Sequence, residues 1–198
     1  MNNLTQPHLR TIVLNFLIIL CATLLLLAPA VSASECGEVA EDGQLRLQVL
    51  TVNLLFSEVE TRDERLERIA AFIADPDGDG TTDDPVDVIL LQESVNGVLV
   101  GTESSALDLK NILRQGSGLD YELRTAFQVG VPELLSVANA TLSLCDIHLE
   151  LVKRFSTASE IEFNDLVIKL QRNALMTRLG IPGNGRINIY NTHLFSSV

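Results

Sequence analysis

Residues 86–93 read Val-Asp-Val-Ile-Leu-Leu-Gln-Glu. Val86, Val88, Ile89, Leu90 and Leu91 make a short run rich in β-branched residues, the pattern of a strand covered on both faces. Gln92 and Glu93 end the apolar run, so this strand brings a carboxylate to a polar edge. Such a carboxylate is costly to desolvate unless it meets a cation, a donor or water. Glu93 is therefore either a solvated strand end or part of a site. Two other strands that end on polar residues, at Asn53 and His193, favour the site.

Upstream, Gln44–Leu54 reads as one strand with apolar residues on both faces, which predicts a central position in its sheet. Asn53 falls at its end, as a turn former or as a site residue. Thr61 and Glu64 form a capping box, and Leu66, Ile69, Ala70 and Ile73 then repeat at helical spacing opposite a charged face. Strand, helix, strand in that order predicts an α/β layer arrangement.

The connection from this helix to Val86 contains Asp75-Pro-Asp-Gly-Asp-Gly-Thr-Thr-Asp-Asp84. Asp75, Asp77 and Asp79, followed by Gly80, match the opening of an EF-hand-type calcium loop, with Asp83 at the position often bridged by water. Val86 stands where such a loop has its bidentate Glu. The stretch is either a weak Ca²⁺ site or a solvated acidic turn.

Downstream, Ser105–Gln115 reads as a second helix stopped by Gly116, and Tyr121–Thr125 as a short strand. Residues 129–170 have no clear period, and include a glycosylation sequon at Asn139-Ala-Thr141. Asn173–Leu179 and Arg186–Leu194 predict a hairpin with Asn184-Gly185 as its tight turn. Ile187, Ile189, Asn191 and His193 then share a face, with His193 at the strand end. A lone His is commonly core or surface; three polar strand ends together predict a site.

Residues 1–33 carry no acid, one Arg and an apolar run from Ile12 to Leu27, followed by Pro29 and Val31-Ser32-Ala33. This is the layout of a secretory signal peptide cut after Ala33, with an uncleaved anchor as the alternative. The expected mature chain starts at Ser34, with a short segment 34–44 and one domain over 45–198, secreted or periplasmic, with no stable membrane span. Its charge moves from −12 to −13 when Arg10 is removed, and no basic stripe is present. Broad electrostatic binding of nucleic acid is thus disfavoured without metal ions. Cys36 and Cys145 are left as the one pair for a disulfide, or stand as two free thiols.

LQVLTVN (Leu47–Asn53), VDVILLQE (Val86–Glu93) and INIYNTHL (Ile187–Leu194) together resemble signature strands of the endonuclease/exonuclease/phosphatase superfamily. The resemblance implies a four-layer α/β/β/α sandwich of deoxyribonuclease-I-like type, which cleaves phosphate esters with Mg²⁺ or Mn²⁺. By the same resemblance Glu93 binds the metal, Asn53 lies beside metal and phosphate, and His193 contacts the phosphate and assists the leaving group. Substrates among relatives include nucleic acid, phospholipid headgroups and inositol phosphates; no protein partner is implied. The superfamily's GDxN and SDH motifs follow the THL strand, and neither occurs here. The expectation is the N-terminal part of a secreted metal-dependent phosphoesterase, incomplete at its C-terminus, inactive alone and with its first sheet lacking a partner. The alternatives are an inactive truncated product and a noncatalytic secreted calcium-binding or interaction module.

Overall fold

The computed structural model describes residues 36–40, 43–55, 61–131, 133–163 and 166–194, with the backbone alone over 157–163 and 166–170. The signal-peptide reading lies outside these residues. The elements in order are β1 (Glu38–Val39), β2 (Leu45–Arg46), β3 (Val49–Asn53), α1 (Arg62–Ala74), β4 (Val88–Asn96), a 3₁₀ turn (Val98–Val100), α2 (Ser105–Ser117), β5 (Glu122–Val131), β6 (Leu135–Ser143), β7 (Ile147–Phe163), β8 (Leu166–Ile181) and β9 (Gly185–Thr192). Among the described residues no helix is long and apolar enough to cross a membrane.

Two larger sheets stack. The first has the order β3-β4-β6-β5, parallel only between β3 and β4, and the second is the antiparallel β7-β8-β9. Alternation along β4 decides which side each residue serves. Ile89 and Leu91 face α1 and α2, packing with Leu66, Ile73, Leu109 and Leu113. Val88 and Leu90 face the other way, joining Ile147, Leu179, Ile181, Ile187 and Ile189 between the sheets. Among the described residues, helices, first sheet and second sheet thus form three of the four layers expected, α/β/β. The first sheet does not lack its partner, contrary to expectation, because β7–β9 cover the face turned from the helices.

Several sequence expectations are corrected. Gln44–Leu54 is not one strand: it breaks at Leu47-Gln48, where the Gln48 N–H leaves the ladder to donate to Asp87 Oδ2 at 2.8 Å. β3 is an edge strand rather than a central one, with Val49 half exposed. Thr61 makes no cap hydrogen bond; its Oγ1 accepts from Arg65 Nη1 at 3.0 Å. α2 runs through Gly116 and stops at Gly118, which takes the left-handed conformation. The hairpin turn centres on Pro182-Gly183, with Asn184 N–H donating to Ile181 O at 3.0 Å. Proline at the second position and positive φ (71°) at Gly183 are the marks of a type II turn. The sequon falls inside β6, where Asn139 and Thr141 have no exposed surface, so the folded chain cannot present it.

The N-terminal segment is tied down at two points. Cys36 and Cys145 are disulfide-bonded with Cα atoms 4.9 Å apart, closing a loop across 109 positions. Asp87, buried ahead of β4, accepts from Gly37 N–H (2.7 Å) and Gln48 N–H (2.8 Å). Burial raises its pKa above the usual carboxylate value, and the two backbone donors oppose that rise.

Among the polar contacts between the sheets, one side chain is fully engaged. Asn191 of β9, 1% exposed, donates through Nδ2 to Leu91 O (3.0 Å) and Ala140 O (2.7 Å), and accepts at Oδ1 from Gln92 Nε2 (2.9 Å). Replacing Asn191 with Leu removes all three bonds and leaves the Gln92 amide without its inter-sheet acceptor. The expected cost is about 3 kcal/mol, read from urea unfolding at unchanged m-value.

Candidate active site

Glu93 does not end its strand. β4 continues to Asn96, and the register with β6 shifts between Leu91 and Ser94, so that Gln92 and Glu93 together oppose Asn139. This is a β-bulge, and Glu93 sits in it with φ +57°, a conformation costing a non-glycine residue about 1 kcal/mol or more. The purpose is legible in the alternation. On a regular strand Glu93 would share the face of Leu91 and point at the helices; the bulge turns its carboxylate toward the second sheet.

Both sides of the bulge are held. Before it, Gln92 donates to Asn191 Oδ1 and to Thr51 Oγ1 (3.2 Å). After it, buried Ser94 and Ser105 pin β4 to the start of α2. Ala106 N–H donates to Ser94 Oγ (3.1 Å), and Val95 N–H donates to Ser105 Oγ (3.0 Å).

The re-aimed Glu93 meets His193, which lies just past β9. Glu93 Oε1 is 3.7 Å from His193 Nε2, and the two side chains are 17% and 23% exposed. On the other side of the ring, Arg172 Nη1 of β8 is 3.4 Å from His193 Nδ1. A guanidinium can only donate, so Nδ1 of the neutral ring accepts and the ring hydrogen sits on Nε2, on the Glu93 side. Burial lowers the His193 pKa, the Arg172 charge lowers it further, and the Glu93 charge opposes both. Burial also lowers the Arg172 pKa, against the raising effect of Glu93.

The structure therefore brings Glu93 and His193 together. Asn53 is exposed, in register with Gln92, and its Oδ1 accepts from Leu55 N–H at 2.8 Å, so it is also a turn former. Sequence reasoning missed Arg172, because its partners are a bulged residue of another sheet and a His 21 positions away. A cleft of about 520 Å³ between the helices, lined by Arg62, Glu67, Thr102 and Asp108 among others, contains none of these residues.

Asp75, Asp77 and Asp79 form a separate group whose ligand oxygens lie within 4.8 Å of one another. Asp75 accepts from the backbone N–H groups of Asp79 and Gly80, both at 3.0 Å. Asp83 is outside this group, and its carboxylate accepts from the Thr81 hydroxyl. Val86, at the twelfth loop position, is buried and offers no carboxylate. The loop enters β4 at the end opposite Glu93, roughly 20 Å away along the strand.

A metal at Glu93 is compatible with this arrangement. A single carboxylate at a polar edge suits Mg²⁺, which keeps most of its waters and takes one or two carboxylates.

A mixed α/β sandwich with a carboxylate and a histidine at the strand edges defines a class. The chain has the endonuclease/exonuclease/phosphatase, or deoxyribonuclease-I-like, fold. It is similar to a solved endonuclease/exonuclease/phosphatase family protein from Leptotrichia buccalis, with a TM-score of 0.55 and 20% identity, over 76% of this chain and 54% of that one. A second solved structure, an endonuclease/exonuclease/phosphatase from Beutenbergia cavernae, is 19% identical with a TM-score of 0.43, over 65% of this chain and 32% of that one. The chain thus spans about half the length of the first structure. No protein-family model and no curated protein matches the sequence.

The charges around His193 set the direction of its titration. In metal-free buffer its ring should titrate below 6.5, lower still in Glu93→Gln and higher in Arg172→Gln, as followed by NMR of the ring protons. Because the unfolded chain takes up this proton first, His193 subtracts stability as pH falls through 6.5 toward the folded value.

Proposed function

We propose that the chain is the N-terminal part of a metal-dependent phosphoesterase, secreted or periplasmic, hydrolysing phosphate mono- or diesters. The observation that carries this reading is the Glu93–His193 pair, formed by a strained bulge at the edge of a fold shared with endonuclease/exonuclease/phosphatase structures. In this reading Glu93 holds Mg²⁺ or Mn²⁺, with Asn53 beside it. The metal, when bound, supplies positive charge against the charge that develops on phosphate oxygens. His193 presents Nε2–H toward the Glu93 side, where it can donate to a phosphate or leaving-group oxygen. The GDxN and SDH segments would come from sequence beyond Leu194, so residues 1–198 alone are expected to show no hydrolysis. Nucleic acid, a phospholipid headgroup and an inositol phosphate all fit the proposed chemistry; the acidity of the chain counts against broad nucleic-acid binding.

In the full-length enzyme, Glu93→Gln should lower Mg²⁺-dependent hydrolysis of bis(p-nitrophenyl) phosphate by about 100-fold or more, with Tm retained. Activity within threefold of wild type would reject Glu93 as the metal-binding carboxylate.

A noncatalytic calcium-binding module is the second reading, supported by the converging carboxylates of Asp75, Asp77 and Asp79. Both readings accommodate a structural Ca²⁺ there. Asp77→Ala with Asp79→Ala should abolish any Ca²⁺-dependent rise in Tm; a rise that survives the double change would remove the loop from consideration.

A further inference from the structure

We infer that Thr141 and Thr177 form an internal site between the two sheets, holding one water molecule hydrogen-bonded to both hydroxyls. Register places the two residues opposite each other. In the first sheet Thr141 of β6 pairs with Leu90 of β4 on one side and with Arg124 of β5 on the other. In the second sheet Thr177 of β8 stands between Glu150 of β7 and Ile189 of β9. Paired residues share a face, so each set of three is one row across its sheet. The two rows face each other. At one end Arg124 Nε is 3.2 Å from Glu150 Oε2, and at the other Leu90 and Ile189 join the same apolar cluster between the sheets. The threonines are the middle members, and both are fully buried.

Neither hydroxyl has a hydrogen-bond partner among the described residues. Valine has nearly the shape of threonine, and a buried hydroxyl that bonds nothing carries a cost that valine avoids. Two such hydroxyls set face to face are accounted for by a ligand they share. The spacing suits water. With stacked sheets about 10 Å apart and each hydroxyl about 2.5 Å from its own strand, about 5 Å separates the two oxygens. That is too long for a direct bond and close to the span of two hydrogen bonds of about 2.8 Å each. Charge also favours a neutral ligand: Arg124 and Glu150, the neighbours of the two threonines, neutralise each other and attract no ion of either sign. A water can accept from one hydroxyl and donate to the other. Asn139 Oδ1, buried on the same face of β6 two residues before Thr141, also lacks a partner among the described residues, so the surroundings are polar, as a hydrated site requires.

A high-resolution crystal structure of the chain reads the site directly, and a water within about 3.2 Å of both Oγ1 atoms is expected. No density between the hydroxyls, a direct bond between them, or a metal ion ligated there would overturn the inference. Urea unfolding of Thr141→Val, Thr177→Val and the double variant is a second readout. Each single change should lower the folding constant about tenfold, because it leaves the water and the remaining hydroxyl short of a partner. The double change should cost no more than the larger single one, because the shared ligand is lost only once. Losses that multiply, or single changes without effect, would count against a shared ligand and overturn the inference. The density at the wild-type threonines decides the matter even where a variant fails to fold.

Discussion

The buried amide of Asn191 is the contact on which the rest of the arrangement depends. Two stacked sheets held only by aliphatic side chains could slide with little loss, since apolar contact is not directional. Asn191 removes that freedom, because its amide is satisfied only when Leu91 O, Ala140 O and the Gln92 side chain lie where they do. A slide would leave three buried polar groups unpaired. These partners border the β4 bulge, so the contact that registers the sheets also sets where Glu93 points. His193 follows Asn191 by two residues, and Arg172 precedes Asn173, whose carbonyl accepts from Thr192. Sheet registration and site geometry are thus one constraint.

Much of this was legible in the chain because it is written as short-range pattern. Val88–Leu91 announces a strand buried on both faces, and its neighbours on the two sides are helices and a second sheet, as that pattern requires. Asn53, Glu93 and His193 read as polar strand ends, and of these Glu93 and His193 meet, although Glu93 lies within its strand. The bulge was not legible. An apolar run that stops at Leu91 reads as a strand that stops, although Ser94 and Val95 remain buried and paired beyond it.

The middle of the chain resisted reading for a related reason. β6 is buried along almost its whole length, but its face toward the second sheet carries Asn139, Thr141 and Ser143 rather than aliphatics. Alternation of apolar with buried polar residues looks like a half-exposed strand or a loop, and tertiary context alone separates them. β7 and β8 pair with each other well past the stretch where β9 pairs with β8, so no turn signal marks the point where the three-stranded sheet ends. Arg172 has no local signature at all. A single basic residue between Gln171 and Asn173 means nothing until the fold sets it against a histidine from the next strand.

The central claim is that the bulge exists to present the Glu93 carboxylate, beside His193, as a ligand for a divalent cation. The most direct measurement is a crystal structure of the chain grown with Mn²⁺, with anomalous scattering recorded at the manganese edge. The account predicts an anomalous peak within about 2.3 Å of a Glu93 oxygen, with Glu93 still at positive φ. A peak at the Asp75–Asp79 loop with none at Glu93, or a regular β4 in which Glu93 turns toward the helices, would contradict it.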